Sequence, residues 1–178
     1  IEELTGRNCG YCPGGQATVN NIISKNPGKV FTANIHAAGY LSPNSYPNLT
    51  TQEGGEFFNV FYEFGIPAVC VNRSTSSSQS VGECESATNA LLKENAEVNV
   101  GGQVVINPAT RTATITVEAY YTADSKENSN YLTVMMLQDS ILGYQNGAAS
   151  NPAQVINGNY CHMHILRDII TPTWGDEF

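Results

Sequence analysis

The chain has 178 residues, enough for one large core or two small ones, and carries 16 Asp and Glu against 8 Lys and Arg. The acidic excess is spread along it without a basic patch or tail, which makes nucleic acid and anionic membrane surfaces poor partners. Charged residues are only 13% of the total, about half the usual share, and no apolar run approaches the length of a transmembrane segment.

Five cysteines fit an oxidising compartment. The chain begins without Met inside a strand-like run, which leaves room upstream for a removed export signal and a lipid anchor. Ile1 to Thr5 reads as a short strand, and Arg7-Asn8-Cys9-Gly10-Tyr11-Cys12-Pro13 follows it. From Gln16 to Lys25 the period is helical, with Val19, Ile22 and Ile23 on one side. A Cys-x-x-Cys at the start of a helix has a definite chemistry. The first thiolate meets unpaired backbone N–H groups and the positive end of the helix dipole, so its pKa falls. The second cysteine lies one turn on, within reach of the first sulfur, so the pair can attack a disulfide and then resolve the mixed disulfide. Cys9 is the candidate attacking thiolate and Cys12 the resolving thiol. The same motif also serves as a structural disulfide or as half of a zinc site. Zinc needs a second pair at matching spacing, and Cys70, Cys84 and Cys161 do not repeat it.

Asn26-Pro27-Gly28 stops the first helix. Lys29 to Ile35 alternates as a second strand closed by His36, which reads as a hydrogen-bonded residue rather than a ligand. Residues 37–51, with Gly39, Pro43, Asn44, Pro47 and Asn48, are expected as an irregular loop near the dithiol. Asn48-Leu49-Thr50 is a glycosylation triplet of the kind that also occurs by chance. Thr51 to Phe64 reads as a helix with Phe57, Phe58, Val60, Phe61 and Phe64 on its apolar side. Gly65-Ile66-Pro67 then enters a β-branched run at 68–72, with Pro67 where no ladder N–H is needed. A Ser-rich excursion follows, and Glu83 to Asn95 is the next helix. Cys70 and Cys84 bracket that excursion. A structural disulfide between them is expected, closing a loop of about 15 residues and worth about 3 kcal/mol in the chain-entropy model.

At residue 96 the period changes from helical to two. Glu97–Asn107 and Thr112–Thr122 read as strands joined by the turn Pro108-Ala109-Thr110-Arg111, and Tyr131–Leu137 as a third. Ile141-Leu142 continues it or begins another, Gly143–Asn159 is loop-like, and Tyr160–Ile170 returns as a strand. No helical period appears, which predicts a small antiparallel sandwich. His162 and His164, at i and i+2 of the last strand, would share a face. A structural pair is favoured there over a metal site, for want of a third ligand. Cys161 points the other way and is expected to be buried and free.

Three features resemble the thioredoxins: Cys9-x-x-Cys12, the Gly-Ile-Pro entry to a strand, and Glu3 six residues before Cys9. The resemblance implies a cis Pro67 packed against the dithiol, Ile66 pairing with substrate backbone, and Glu3 relaying a proton for Cys12. Asn8 departs from that pattern, since thioredoxins carry Trp there. Gly10-Tyr11 resembles the dipeptide of some periplasmic disulfide isomerases, which faces the substrate and tunes the reduction potential. Oxidase, reductase and isomerase directions stay open.

A second resemblance spans nearly the whole chain. Glu3-Leu4-Thr5-Gly6 running into Asn8-Cys9-x-x-Cys12-Pro13, then Leu137-Gln138-Asp139-x-Ile141 with Gln145, Tyr160-x-His162-x-His164-x-Leu166-Arg167 and Trp174-Gly175, is similar to the Omp28-related outer membrane proteins. That bacterial envelope family includes many lipoproteins. The resemblance implies an α/β thioredoxin-like domain over 1–95, a small all-β, sandwich-like antiparallel domain over 96–178, and export to the periplasm or outer membrane of a Gram-negative bacterium. The function expected is an extracytoplasmic thiol–disulfide oxidoreductase acting on protein or peptide thiols and disulfides. The dithiol is itself the redox centre, so neither cofactor nor metal is called for. Two other readings stay open: an envelope binding or adhesion module with an inert Cys9–Cys12 disulfide, and a metal-delivery protein using Cys9, Cys12 and His36.

Overall fold

A short strand, β1 (Glu2–Thr5), leads directly into the dithiol loop and the first helix, α1 (Cys12–Lys25). The computed structural model describes residues 1–42, 46–63 and 65–178, with the main chain alone for Tyr40. Pro43 and Asn44 of the expected loop and Phe64 of the expected helix lie outside the described residues. The chain continues through β2 (Ala33–His36), α2 (Gln52–Phe61), β3 (Ala68–Cys70), β4 (Gln79–Ser80) and α3 (Cys84–Leu91). β1 and β2 are parallel, β3 is antiparallel to β1, and β4 is antiparallel to β3. The parallel pair needs a crossover, which α1 supplies.

Local chemistry sets the helix ends. Pro13 sits in the first turn of α1, where its missing N–H costs nothing. At the other end the Asn26 side chain donates to the Ile22 carbonyl, and Gly28 takes a positive φ of 73°. The Thr51 hydroxyl accepts the Gly54 N–H at 2.9 Å and caps α2. α2 buries Phe57 and Phe61 against Leu4, Ile35, Leu166 and Ile169, and Trp174 stacks on Phe57 at 5.2 Å. On the opposite face of the sheet, Val19 and Ile22 of α1 pack with Val69, Val71 and Cys84.

Strand alternation corrects the expected Cys70–Cys84 disulfide. Ala68 and Cys70 face the α2 side, whereas Val69 and Val71 face the side where Cys84 opens α3. The sheet lies between the two sulfurs, and both are free, buried thiols. Burial pushes the Cys70 thiol up to about 11 and raises that of Cys84. Cys161 is free and buried, as expected.

Beyond α3 come β5 (Val98–Asn107), β6 (Thr112–Tyr121), β7 (Tyr131–Leu132), β8 (Met135–Gln138), β9 (Ile141–Gly143), β10 (Val155–Ile156), β11 (Asn159–His162), β12 (Ile165–Ile169) and β13 (Asp176–Glu177). They do not close into the expected sandwich. β12 lies parallel to β2, with Ile165 opposite Asn34, and β8 pairs antiparallel with β12. The result is one mixed sheet, ordered β4-β3-β1-β2-β12-β8, that draws strands from both sides of residue 96. Leu166 and Ile169 accordingly share a core with Leu4 and Ile35. The other strands form the small antiparallel sheets β10-β11-β9, β13-β7 and β5-β6.

The expected single strand at 160–170 is two strands in two sheets. The chain bends at His164, where φ is 55° and the Asp139 carboxylate accepts the His164 N–H at 2.5 Å. His162 and His164 therefore do not share a strand face. His162 is buried, and His164 Nδ1 lies 3.2 Å from Asp139.

β5 and β6 pair along their full 10-residue length. One face of this ribbon carries Val98, Val100, Val104 and Ile106 beside Ile115 and Val117; the other is mixed, with Asn99, Gln103, Thr114, Thr116 and Glu118 beside Val105 and Tyr120. On the apolar face Val100, Val104 and Ile106 remain 62%, 57% and 70% exposed.

Candidate dithiol site

Cys9 and Cys12 are joined as a disulfide, with their Cα atoms 5.5 Å apart. Cys12 is the first residue of α1, and no side chain of the usual capping type serves that end. The Cys9 sulfur takes the role instead, accepting the Cys12 N–H at 3.1 Å. Cys9 keeps 7% exposure and Cys12 none, so Cys9 is the sulfur that a partner meets first. Its Sγ lies 3.6 Å from the Ile66 carbonyl oxygen, and the Ile66–Pro67 bond is cis.

Gly15, one turn into α1, is where the helix meets the proline loop. A Cβ on Gly15 would lie 2.8 Å from Pro67 Cβ and 3.1 Å from Glu3 Oε1. Only the missing side chain lets helix, proline and acid converge. Glu3 is wholly buried, and neither carboxyl oxygen has a hydrogen-bond partner among the described residues. Burial pushes its pKa well above the ordinary carboxylate range. Gly10 and Tyr11 form the turn between the cysteines, and the Tyr11 side chain is exposed.

A second layer comes from far along the chain. The Gln145 side-chain amide donates to the carbonyls of Gly6 at 3.1 Å, Cys9 at 3.0 Å and Asn146 at 3.1 Å. The Asn146 backbone N–H donates to the Arg7 carbonyl, and its side-chain amide donates to the Asn8 carbonyl. Gly147, at φ 71°, comes so close that a Cβ there would overlap the Gly10 carbonyl. Arg7 is buried and donates to the carbonyls of Tyr144 and Pro47. Behind α1, the Tyr160 hydroxyl donates to Gln16 Oε1 at 2.5 Å. Residues 144–147 fall inside the stretch read from sequence as loop, and nothing local in them signals a contact with Cys9.

His36 hydrogen-bonds Ser42 through Nδ1 at 3.2 Å and meets the His162 ring edge-on at 5.7 Å. Burial holds both imidazoles below their ordinary pKa, His162 at about 4. Among the described residues no group of three or more His, Cys, Asp or Glu is placed to hold a metal. The structure thus brings together Cys9, Gly10, Tyr11, Cys12, Glu3, Ile66 and Pro67; Cys70 and Cys84 are free thiols buried in the two cores that flank the sheet, and His164 lies beside Asp139.

Residues 56–178 match the family model described as outer membrane protein Omp28. The chain belongs to the Omp28 family. Membership places it outside the cytoplasm, at the outer membrane of a Gram-negative envelope. No helix of the described residues is long and apolar enough to cross a membrane. Among curated proteins and solved structures no match was found. The Omp28 match begins after both cysteines, yet it contains Ile66, Pro67, Gln145, Asn146 and Gly147, which surround them.

Proposed function

We propose that this Omp28-family chain is an extracytoplasmic thiol–disulfide oxidoreductase built on a thioredoxin-like unit. The observation that carries it is the Cys9 sulfur at the start of α1, held on the Cys12 N–H and flanked by Ile66-Pro67. A thiolate there gains a charge-assisted hydrogen bond and the helix dipole, which is how a nucleophilic cysteine is activated. The order β4-β3-β1-β2, with α1 and α3 on one face and α2 on the other, supports the thioredoxin-like reading.

The exchange runs in two steps. The Cys9 thiolate attacks one sulfur of a partner disulfide; a Cys9–partner bond forms, the partner's own S–S bond breaks, and its second sulfur leaves as thiolate. Cys12 gives its proton to the Glu3 carboxylate, whose raised pKa suits a proton acceptor for a thiol, and then attacks Cys9 Sγ. The Cys9–Cys12 bond forms, the mixed disulfide breaks, and the partner leaves as a dithiol carrying two electrons. Run backwards, a partner dithiol reduces the Cys9–Cys12 disulfide. Ile66 and Pro67 seat an extended protein or peptide segment, and Gly10 and Tyr11 meet it from the other side of the sulfur. The test is asymmetry between two variants. Cys9→Ser abolishes exchange with a disulfide-bonded model protein, whereas Cys12→Ser accumulates mixed disulfides visible on non-reducing gels. Equal behaviour of the two variants, with no trapped partner, would sink the proposal.

One observation favours a second reading, an envelope binding module with an inert disulfide: the β5-β6 ribbon leaves an apolar face uncovered. On that reading the parent protein has no exchange activity, and both cysteine variants lose similar stability.

A further inference from the structure

The Gln145 amide is nearly fully buried, 5% exposed, and its nitrogen faces three main-chain carbonyls, those of Gly6, Cys9 and Asn146. Two N–H bonds are shared among three acceptors, which fixes the orientation of the amide: turned over, its oxygen would face three oxygens. The Gln145 Oε1 is buried with no partner among the described residues. A buried acceptor left open carries a cost, so what this side chain contributes here lies in its donors. Those donors grip the dithiol loop at both ends of the turn that precedes α1, at Gly6 and at Cys9. The same turn carries the hydrogen bond from the Cys9 N–H to the Gly6 carbonyl, at 3.1 Å. Gly147 presses on the loop from outside at Gly10, and Asn146 holds it at Arg7 and Asn8.

We propose that Gln145 is a positioning residue for the dithiol: by holding the Cys9 carbonyl it keeps the Cys9 sulfur on the Cys12 N–H once the disulfide is reduced, and so keeps Cys9 a thiolate. This deepens the oxidoreductase reading and rests on it, but its effect is measurable without any physiological partner. Reduction of Cys9–Cys12 releases a covalent constraint of the turn. From then on the placement of the sulfur depends on the hydrogen bonds to the loop's main chain, and Gln145 supplies two of them from outside the loop. A charge-assisted hydrogen bond is lost steeply as its geometry loosens.

The experiment compares the reduced parent with Gln145→Met, which keeps the length and bulk of the side chain and removes its donors. Alkylation of Cys9 by iodoacetamide is followed against pH, with the modified peptide quantified by mass spectrometry so that the buried Cys70, Cys84 and Cys161 do not contribute. The parent is expected to show an acidic Cys9. In Gln145→Met the profile is expected to shift upward by about one pH unit, lowering the rate at a pH below both midpoints about tenfold. A purely structural role would lower the unfolding midpoint and leave the alkylation profile in place, and that result overturns the proposal. If the parent itself shows an ordinary thiol profile, the oxidoreductase reading fails first and this one falls with it. If Gln145→Met does not fold, Gly147→Ala replaces it, because its methyl would strike the Gly10 carbonyl and lift the same segment off the loop. An unchanged Cys9 profile in Gly147→Ala likewise overturns the proposal.

Discussion

Glu3 and His162 pull stability in opposite directions along the pH axis, and the sign of each follows from burial. Glu3 has a folded pKa raised by desolvation, so the native state holds its proton more tightly than the unfolded chain. Its contribution is fully present below the unfolded carboxylate pKa and is lost as pH rises through the folded value. His162 is the reverse case: burial lowers it to about 4, so below the ordinary imidazole pKa the unfolded chain takes up a proton that the native state refuses. Stability therefore falls as pH drops from about 6.5 towards 4, by roughly 3 kcal/mol at full development, and His36, also lowered by burial, adds in the same direction. Two urea titrations separate the effects. Glu3→Gln, with the disulfide intact, is expected to be more stable than the parent at pH 8, the difference shrinking as pH falls towards 4.5. In the same variant the remaining loss between pH 6.5 and 4 reports the histidines. A Glu3→Gln protein less stable than the parent at pH 8 would contradict a buried acid that has no partner among the described residues.

At the scale of elements, α1 and the Pro67 loop meet through Gly15, and the contact is tight enough to test. The Cβ of Gly15→Ala would meet the Pro67 ring, which is fixed to the main chain and cannot rotate away. The helix or the loop must shift, at a cost of about 1–3 kcal/mol, typical of an overpacked core. The expected result is a lower urea midpoint and slower exchange at Cys9; an unchanged midpoint would show that the contact is slack. Cys9-x-x-Cys12 carries its chemistry in four neighbouring residues, whereas the convergence of Pro67 and Glu3 on it was legible only through the resemblance to thioredoxins. The grip of residues 145–147 was not, because a Gln and an Asn in a Gly-rich stretch announce nothing about which carbonyls they will meet. The split of β11 from β12 was hidden for a related reason. Tyr160 to Ile170 looks strand-like throughout, and only the left-handed turn at His164, held by the Asp139 carboxylate, breaks it. The Cys70–Cys84 expectation rested on loop length alone, while strand alternation decides which face each sulfur takes.

The molecule as a whole is a shared sheet with one poorly covered part. The β5-β6 ribbon pairs fully with itself, yet Val100, Val104 and Ile106 stay open to water, and two strands alone are marginal in stability. Its attachments to the rest lie near its base, where Lys126 pairs with Glu97 and the Tyr121 ring meets Phe178 at 6.4 Å. Hydrogen exchange followed by mass spectrometry is expected to show the amides of 98–121 exchanging well before those of β1, β3 and α1. Equal protection would mean that the ribbon is covered in solution. The place of β12 in the sheet has a consequence for the order of assembly. On the side away from β1, Asn34 finds its partner only at Ile165, so a chain emerging N-terminus first carries that side of β2 unpaired until β12 has followed. An open strand edge invites other chains, and closing so long a loop is slow. For most of that interval residues 145–147 have not yet emerged, so Cys9 and Cys12 first meet oxidants as a local, ungripped pair, and the finished site is set only when that segment arrives.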